Sequence, residues 1–182
     1  MEQVIFSSGE RLPMLLDDDD LPVPEACEWF LRRRHLALQT LMRNSGEVLV
    51  IHRWARKRRM NIYDRIRSGK QFTEADLTSL IEELSRPQPT SNKVAKLAVS
   101  PDTRNKRLNT ASQHLLWYID ELTASPSSGE ALRINLTAMR EKVAKAFIDA
   151  YTASEAEATP VVAALRRYSS LTPTKALTSR SR

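Results

Sequence analysis

The residues of this sequence best suited to chemistry are clusters of positive charge, because guanidinium and ammonium groups bind phosphate. Residues 25–70 hold twelve Lys and Arg against four acids, a net charge of +8, whereas residues 1–24 come to −5. The whole chain of 182 residues carries +6. A positive field concentrated on one part of a protein attracts an anionic polymer to it. The charge therefore indicates nucleic acid as the first class of partner to consider and an anionic membrane surface as the second.

One stretch, about 40–59, places such cations beside apolar residues at helical spacing. The apolar stripe expected to face the core consists of Leu41, Val48, Ile51 and Ala55. The cations off this stripe are Arg43, Arg53, Arg56 and Lys57. We expect this helix to present a basic face to the phosphates of DNA, with Trp54 in the core. Gly46 weakens a helix, so we expect close packing or a kink there.

A second stretch, about 101–122, begins with Ser100 as N-cap and Pro101 at the first helical position. Its distal half is apolar on one side, whereas its first two turns carry Arg104, Asn105, Lys106, Arg107, Asn109 and Thr110. This asymmetry favours a helix whose N-terminal part enters a DNA groove, and the alternative is an ordinary solvated first turn. We expect the cations to contact phosphates. Base edges would be reached by Asn105, Asn109 and Thr110.

Motifs for enzymatic or metal chemistry are absent from the sequence. It contains no glycine-rich phosphate loop, no H-E-x-x-H and no G-x-S-x-G. A single cysteine, Cys27, excludes a disulfide framework and a thiolate zinc cluster, and is typical of a reducing compartment. The three histidines are scattered without metal-ligand spacing. We therefore expect no cofactor, no metal, no small-molecule substrate and no enzyme that acts alone.

The first 23 residues predict a β-hairpin followed by an acidic loop. The segments EQVIF and RLPMLL flank Ser7–Glu10, a short loop in which Gly9 can take a positive φ. Asp17–Asp20 are four adjacent carboxylates. Hard cations need oxygens that converge from spaced positions, so we expect a solvated loop here rather than a metal site.

The rest of the chain predicts a mainly α-helical bundle over 24–152. Helix starts are expected at Pro24, Thr40, Thr73 and Ser100, with a short helical turn at 62–67 and a last helix over about 130–151. Residues 86–99 carry two prolines and no period, which predicts a loop. Thr152–Pro160 is small and polar and predicts a linker. The domain plan is thus 1–23, 24–152, and 153–182 as linker and basic, disordered tail.

Membrane segments are not expected. The sequence has no run of about eighteen apolar residues, and its N-terminus lacks the basic region of a signal peptide. We therefore expect a cytoplasmic protein without a membrane partner.

Three segments resemble the tyrosine recombinases of the phage-integrase family. T-L-M-R-N-S-G-E-V-L-V-I-H-R-W-A, from Thr40, resembles the first long helix of their core-binding domain. N-I-Y-D-R-I-R-S-G-K-Q-F-T-E-A-D-L-T-S-L, from Asn61, resembles the segment that follows it in a bacterial subgroup. S-P-D-T-R-N-K-R-L-N-T-A-S-Q-H-L-L-W-Y-I, from Ser100, resembles the fourth-helix motif, with its S-x-x-T start, basic residues and terminal aromatic pair. The resemblance covers about residues 2–158.

The resemblance implies a SAM-like helical bundle that forms half of a clamp on double-stranded DNA, with other recombinase protomers as further partners. The catalytic half of such enzymes carries an Arg, a Lys, H-x-x-R and a Tyr nucleophile, and no H-x-x-R exists here. Tyr168 is the sole tyrosine beyond the predicted linker. We expect a truncated, catalytically inactive DNA-binding part of a recombinase. The alternative is a helical protein-interaction module without DNA contact, in which the stripes at 77–84 and 136–150 dock a partner.

Overall fold

The computed structural model describes the backbone of residues 2–87 and 99–170, and the side chains of 2–87 and 99–153. Two strands, β1 (Glu2–Ile5) and β2 (Arg11–Met14), form an antiparallel hairpin. Five helices follow with bounds of α1 Pro24–Arg32, α2 Leu38–Lys57, α3 Ile62–Arg67, α4 Glu74–Ser85 and α5 Pro101–Ala124. The last helix of the described part is α6, Glu130–Ser170. The predicted mainly α-helical fold with a small N-terminal hairpin is confirmed.

The hairpin is held by burial of apolar residues of its second strand against α1 and α2. Leu12 of β2 and Leu15 just after it are buried, whereas β1 is mostly exposed. Two strands alone are marginally stable in water, so this apolar contact with the helices is what holds the hairpin in place. Gly9 takes a φ of 82° in the loop, as the sequence predicts.

Three helices begin where the sequence predicts. Pro24 opens α1, and Thr73 opens α4 with a complete capping box to Asp76. Ser100 accepts a hydrogen bond from the backbone N–H of Thr103 at the start of α5. The prediction that Thr40 caps α2 is wrong. Leu38 and Gln39, both good helix formers, begin that helix two residues earlier, and Thr40 lies in its first turn.

The core contains the predicted apolar stripes. The buried residues of α2 include Leu41, Val48, Ile51, Ala55 and Trp54, whose indole N–H donates to the Ser79 hydroxyl over 3.2 Å. The stripe of α5 meets that of α6, where Leu136, Met139, Val143 and Phe147 are buried. Burial of these side chains is the main source of stability, at roughly 1.5–3 kcal/mol for each large one.

The last helix is longer than the sequence predicts. We expected a helix end near 151 and a linker over Thr152–Pro160, but α6 continues as helix to Ser170. Alanine and glutamate dominate residues 153–158, and both are strong helix formers, so small and polar composition was a poor indicator of a linker. The remainder of the expected tail, 171–182, and most of the expected loop, 88–98, lie outside the described residues.

Candidate nucleic-acid interface

One edge of α2 carries the exposed cations that the sequence singled out. Arg43, Gly46, Val50, Arg53 and Lys57 follow one another at intervals of three or four residues, so they share one side of the helix. Arg53 is exposed and, within the part of the chain that the structure describes, has no hydrogen bond or ion pair. Lys57 instead donates to the Glu83 carboxylate of α4 over 2.5 Å. On this edge, Arg53 can therefore bind a phosphate directly. Lys57 can do so only after it releases the Glu83 carboxylate.

The end of α2 lies against the acidic loop. Arg56 forms an ion pair with Asp18, and both side chains are exposed. The loop is ordered by Asp17, whose carboxylate accepts from the backbone N–H groups of Asp19 and Leu21, each over 2.9 Å. The four aspartates are exposed, as expected of a solvated loop. The structure adds that one carboxylate organises the loop backbone and another pairs with a cation of α2.

Arg59 adds a cation that the sequence analysis did not select. It follows α2 in the left-handed region, with a φ of 52°. Its side chain is exposed and makes no hydrogen bond or ion pair among the described residues. A run of basic residues at a helix end was the available signal, but which of them stay unpaired depends on tertiary neighbours.

Two cations at the start of α5 form hydrogen bonds to other parts of the protein. Arg107 donates to the backbone carbonyls of Leu84 and Arg86, over 3.2 and 2.7 Å. Arg104 donates to the Ser85 hydroxyl over 2.9 Å. Both therefore hold the C-terminal end of α4, where carbonyl groups lack helical partners. Partial burial lowers the pKa of Arg107, which is consistent with a guanidinium turned into the protein.

The three side chains expected at base edges differ in their exposure. Thr110 is buried, and its hydroxyl donates to Asn44 over 3.4 Å, so the expectation that it lies on a DNA-reading surface is wrong. Asn105 is half-buried, and its side-chain oxygen is enclosed. Only Asn109 of the three is exposed, and its oxygen accepts from Gln113 over 3.2 Å.

A groove of about 400 Å³ separates the basic edge of α2 from the first turns of α5. Arg43 of α2 and Lys106 of α5 both line it, with half-exposed side chains. Each contacts an acid on its own helix: Arg43 lies 3.9 Å from Glu47, and Lys106 donates to Asp102 over 2.6 Å. The groove thus brings together two predicted phosphate contacts from separate parts of the sequence.

A larger cleft of about 840 Å³ lies between the acidic loop and the C-terminal half of α2. Its lining includes Arg53, Arg56 and Arg59 on one side and Asp17 and Asp18 on the other. Of these cations, Arg56 is paired with Asp18, whereas Arg53 and Arg59 line the cleft without an ion pair among the described residues.

Two of the three scattered histidines meet below this cleft. The Tyr63 hydroxyl lies 3.0 Å from Nε2 of His52 and 2.9 Å from Nε2 of His114. Burial lowers the pKa of His52 to about 4. Burial, together with the neighbouring His52, lowers the pKa of His114 to about 3. Both rings are therefore neutral at pH 7 and join α2, α3 and α5, an arrangement that linear spacing gave no sign of.

The described residues contain neither a metal-binding cluster nor a membrane-spanning helix. Within 2–87 and 99–153, no three His, Cys, Asp or Glu side chains come together in a way that would hold a metal ion. No described helix combines the length and apolar character needed to cross a membrane.

Comparison with protein-family models, with curated proteins and with solved structures gave no match for this chain.

Proposed function

We propose that this chain binds double-stranded DNA, chiefly through its phosphates, as the core-binding part of a tyrosine-type site-specific recombinase does. The observation that carries the proposal is the basic edge of α2, where Arg43 and Arg53 are exposed and Arg53 has no partner among the described residues. An exposed guanidinium without a carboxylate partner can take a phosphate and lose little in exchange. The role in DNA integration and recombination rests on the three segments that resemble that family.

The side chains proposed to bind phosphate are the basic ones that are exposed to solvent. The members of this set are the exposed cations Arg43, Arg53 and Arg59, joined by Arg56, Lys57 and Lys106 once these release their carboxylates. Arg104 and Arg107 leave the set because both bond to the end of α4. Among the uncharged candidates, Asn109 is the exposed one and remains available to a base edge.

Binding by this set would neutralise phosphates and release counterions. Three contacts predict that log K falls against log salt with a slope of about −2.7, and six predict about −5. We propose that the chain acts in the cytoplasm, with other recombinase protomers as its protein partners. The sequence lacks the H-x-x-R motif of the recombinase catalytic half. We therefore also propose that the chain alone neither cleaves nor rejoins DNA.

The test is a titration of duplex DNA at several salt concentrations. Replacing Arg43 and Arg53 together by Gln should weaken binding to every duplex and reduce the slope by about two. The matched control replaces Arg140 and Lys145 of α6 by Gln, which changes the net charge equally and should leave the slope nearly unchanged. A flat salt response of the unaltered protein would favour the protein-interaction alternative, because apolar docking does not weaken with salt in this way.

A further inference from the structure

Gly46 is a glycine for which the protein itself gives no structural reason. It lies inside the 20-residue helix α2. Glycine is the poorest helix former after proline. A Cβ added to Gly46 would meet no atom within 4 Å beyond its chain neighbours and the nearby backbone of its own helix, so the expected close packing is absent. By contrast, Gly69 has a φ of 66°, and an added Cβ would lie 3.0 Å from the Leu132 side chain.

The empty space at Gly46 belongs to the groove between α2 and α5. The groove is lined by Arg43, Gly46, Glu47, Val50, Asp102, Thr103, Lys106 and Arg107. Any side chain at position 46 would project into it. The space is within the range of about 300–1,000 Å³ that ligand sites occupy. Glycine therefore keeps open a groove with a cation on each helix.

The two acids of this groove differ in their exposure to solvent. The Glu47 side chain is only 8% exposed, whereas that of Arg43 is 51% exposed. Burial raises the pKa of the Glu47 carboxyl, although the Thr110 hydroxyl and Arg43 act in the opposite direction. Asp102 is exposed but is already paired with Lys106. The Asp102 side chain is 72% exposed and that of Lys106 is 52% exposed. A phosphate that approaches from solvent therefore meets the guanidinium of Arg43 directly, and it binds the ammonium of Lys106 by displacing Asp102.

We propose that this groove receives one sugar–phosphate strand of duplex DNA, and that Gly46 marks its closest approach to the protein. Glycine is used where a backbone or ligand must come close, because it has no side chain to hold the ligand away. Arg43 and Lys106 contact successive phosphates from the two walls. This inference rests on the proposed DNA binding and goes beyond it by placing one strand between two named helices.

The test exploits opposite effects on stability and on binding. Gly46→Ala and Gly46→Gln should each raise Tm by about 2 °C, because both residues favour a helix more than glycine does. Gly46→Ala should weaken binding to duplex DNA about twofold and Gly46→Gln about tenfold, because the longer side chain fills the groove. A loss of affinity in a more stable protein cannot be caused by unfolding.

The matched control uses Gly129, before α6. It is exposed, and an added Cβ there also meets nothing within 4 Å. Gly129→Gln should leave DNA affinity unchanged. If Gly46→Gln binds as tightly as the unaltered protein, the strand does not lie in the groove, while DNA binding elsewhere still stands. If the unaltered protein binds no duplex at all, both proposals are wrong.

Discussion

The end of α2 and the start of α5 look alike in sequence and differ in the structure. Both combine several Arg and Lys residues with an apolar stripe. Along α2, Arg53 is exposed and without a partner in the described part of the chain. Along α5, Arg107 bonds to two backbone carbonyls at the end of α4. The difference teaches that a cation beside a neighbouring helix C-terminus becomes a cap, whereas one that faces solvent stays available to a ligand.

Low pH should have the largest effect on stability, because it protonates two histidines that join α2 to α5 through Tyr63. His52 of α2 and His114 of α5 both meet the Tyr63 hydroxyl, and burial lowers their pKa values to about 4 and about 3. An unfolded histidine titrates near pH 6.5, so the unfolded state binds protons first. The contribution of the two neutral histidines to the free energy of unfolding is therefore fully present above pH 6.5. It is lost as the pH drops toward 4, by up to several kcal/mol at about 1.4 kcal/mol per pKa unit.

Urea unfolding at pH 7.5 and at pH 4.5 measures this loss. His52→Gln should make the decrease smaller, because it removes one of the two titrating groups. A midpoint that is the same at both pH values would show that the histidines are not held neutral in the folded protein.

Removing Arg107 should distinguish the two basic regions most directly. Arg107→Ala leaves the carbonyls of Leu84 and Arg86 without their charged donor, which should cost about 2 kcal/mol of unfolding free energy. The salt slope of DNA binding should change little, because the guanidinium is already bonded to the carbonyl groups at the end of α4. Denaturant titration and DNA titration of the same variant check both statements, with Arg53→Ala as the partner variant. Equal effects of the two substitutions on the salt slope would contradict the comparison.

Freeing Arg56 should have the smallest effect. Asp18→Asn removes the exposed ion pair with Arg56, and such pairs contribute about 0–1 kcal/mol, so stability should barely change. The released guanidinium should tighten DNA binding about twofold, as measured at low salt. Asp19→Asn is the control with the same change of net charge. Equal gains from both variants would show that the pairing of Arg56 does not limit binding.

Local signals in the sequence predicted most of the fold. The capping box at Thr73, the Ser100–Pro101 start and the stripe around Ile51 depend only on near neighbours, and all three are confirmed. Failures arose where a distant partner or helix propensity decides. Thr110 is buried because Asn44 lies opposite it, 66 residues away, and α6 continues because alanine and glutamate favour a helix.

The candidate site was less predictable than the fold for the same reason. Charge clustering selected helices α2 and α5, but it did not distinguish Arg53, which faces solvent, from Arg107, which turns to α4. The histidine pair around Tyr63 depends on contacts across 11 and 51 residues, which no local spacing contains.

The closed acidic loop, Asp17–Asp20, also affects how readily proteases can cleave the chain. A bridge between Leu16 and Pro22 closes the loop, and the backbone N–H of Asp17 donates to Leu21 over 2.8 Å. Proteases bind their substrates as extended strands, and exposed loop tips are ordinarily where a chain is nicked. Because this loop is folded back on its own carboxylate, it must open before it fits such a cleft. Four consecutive aspartates at the surface therefore form a protected turn in place of a cleavage site.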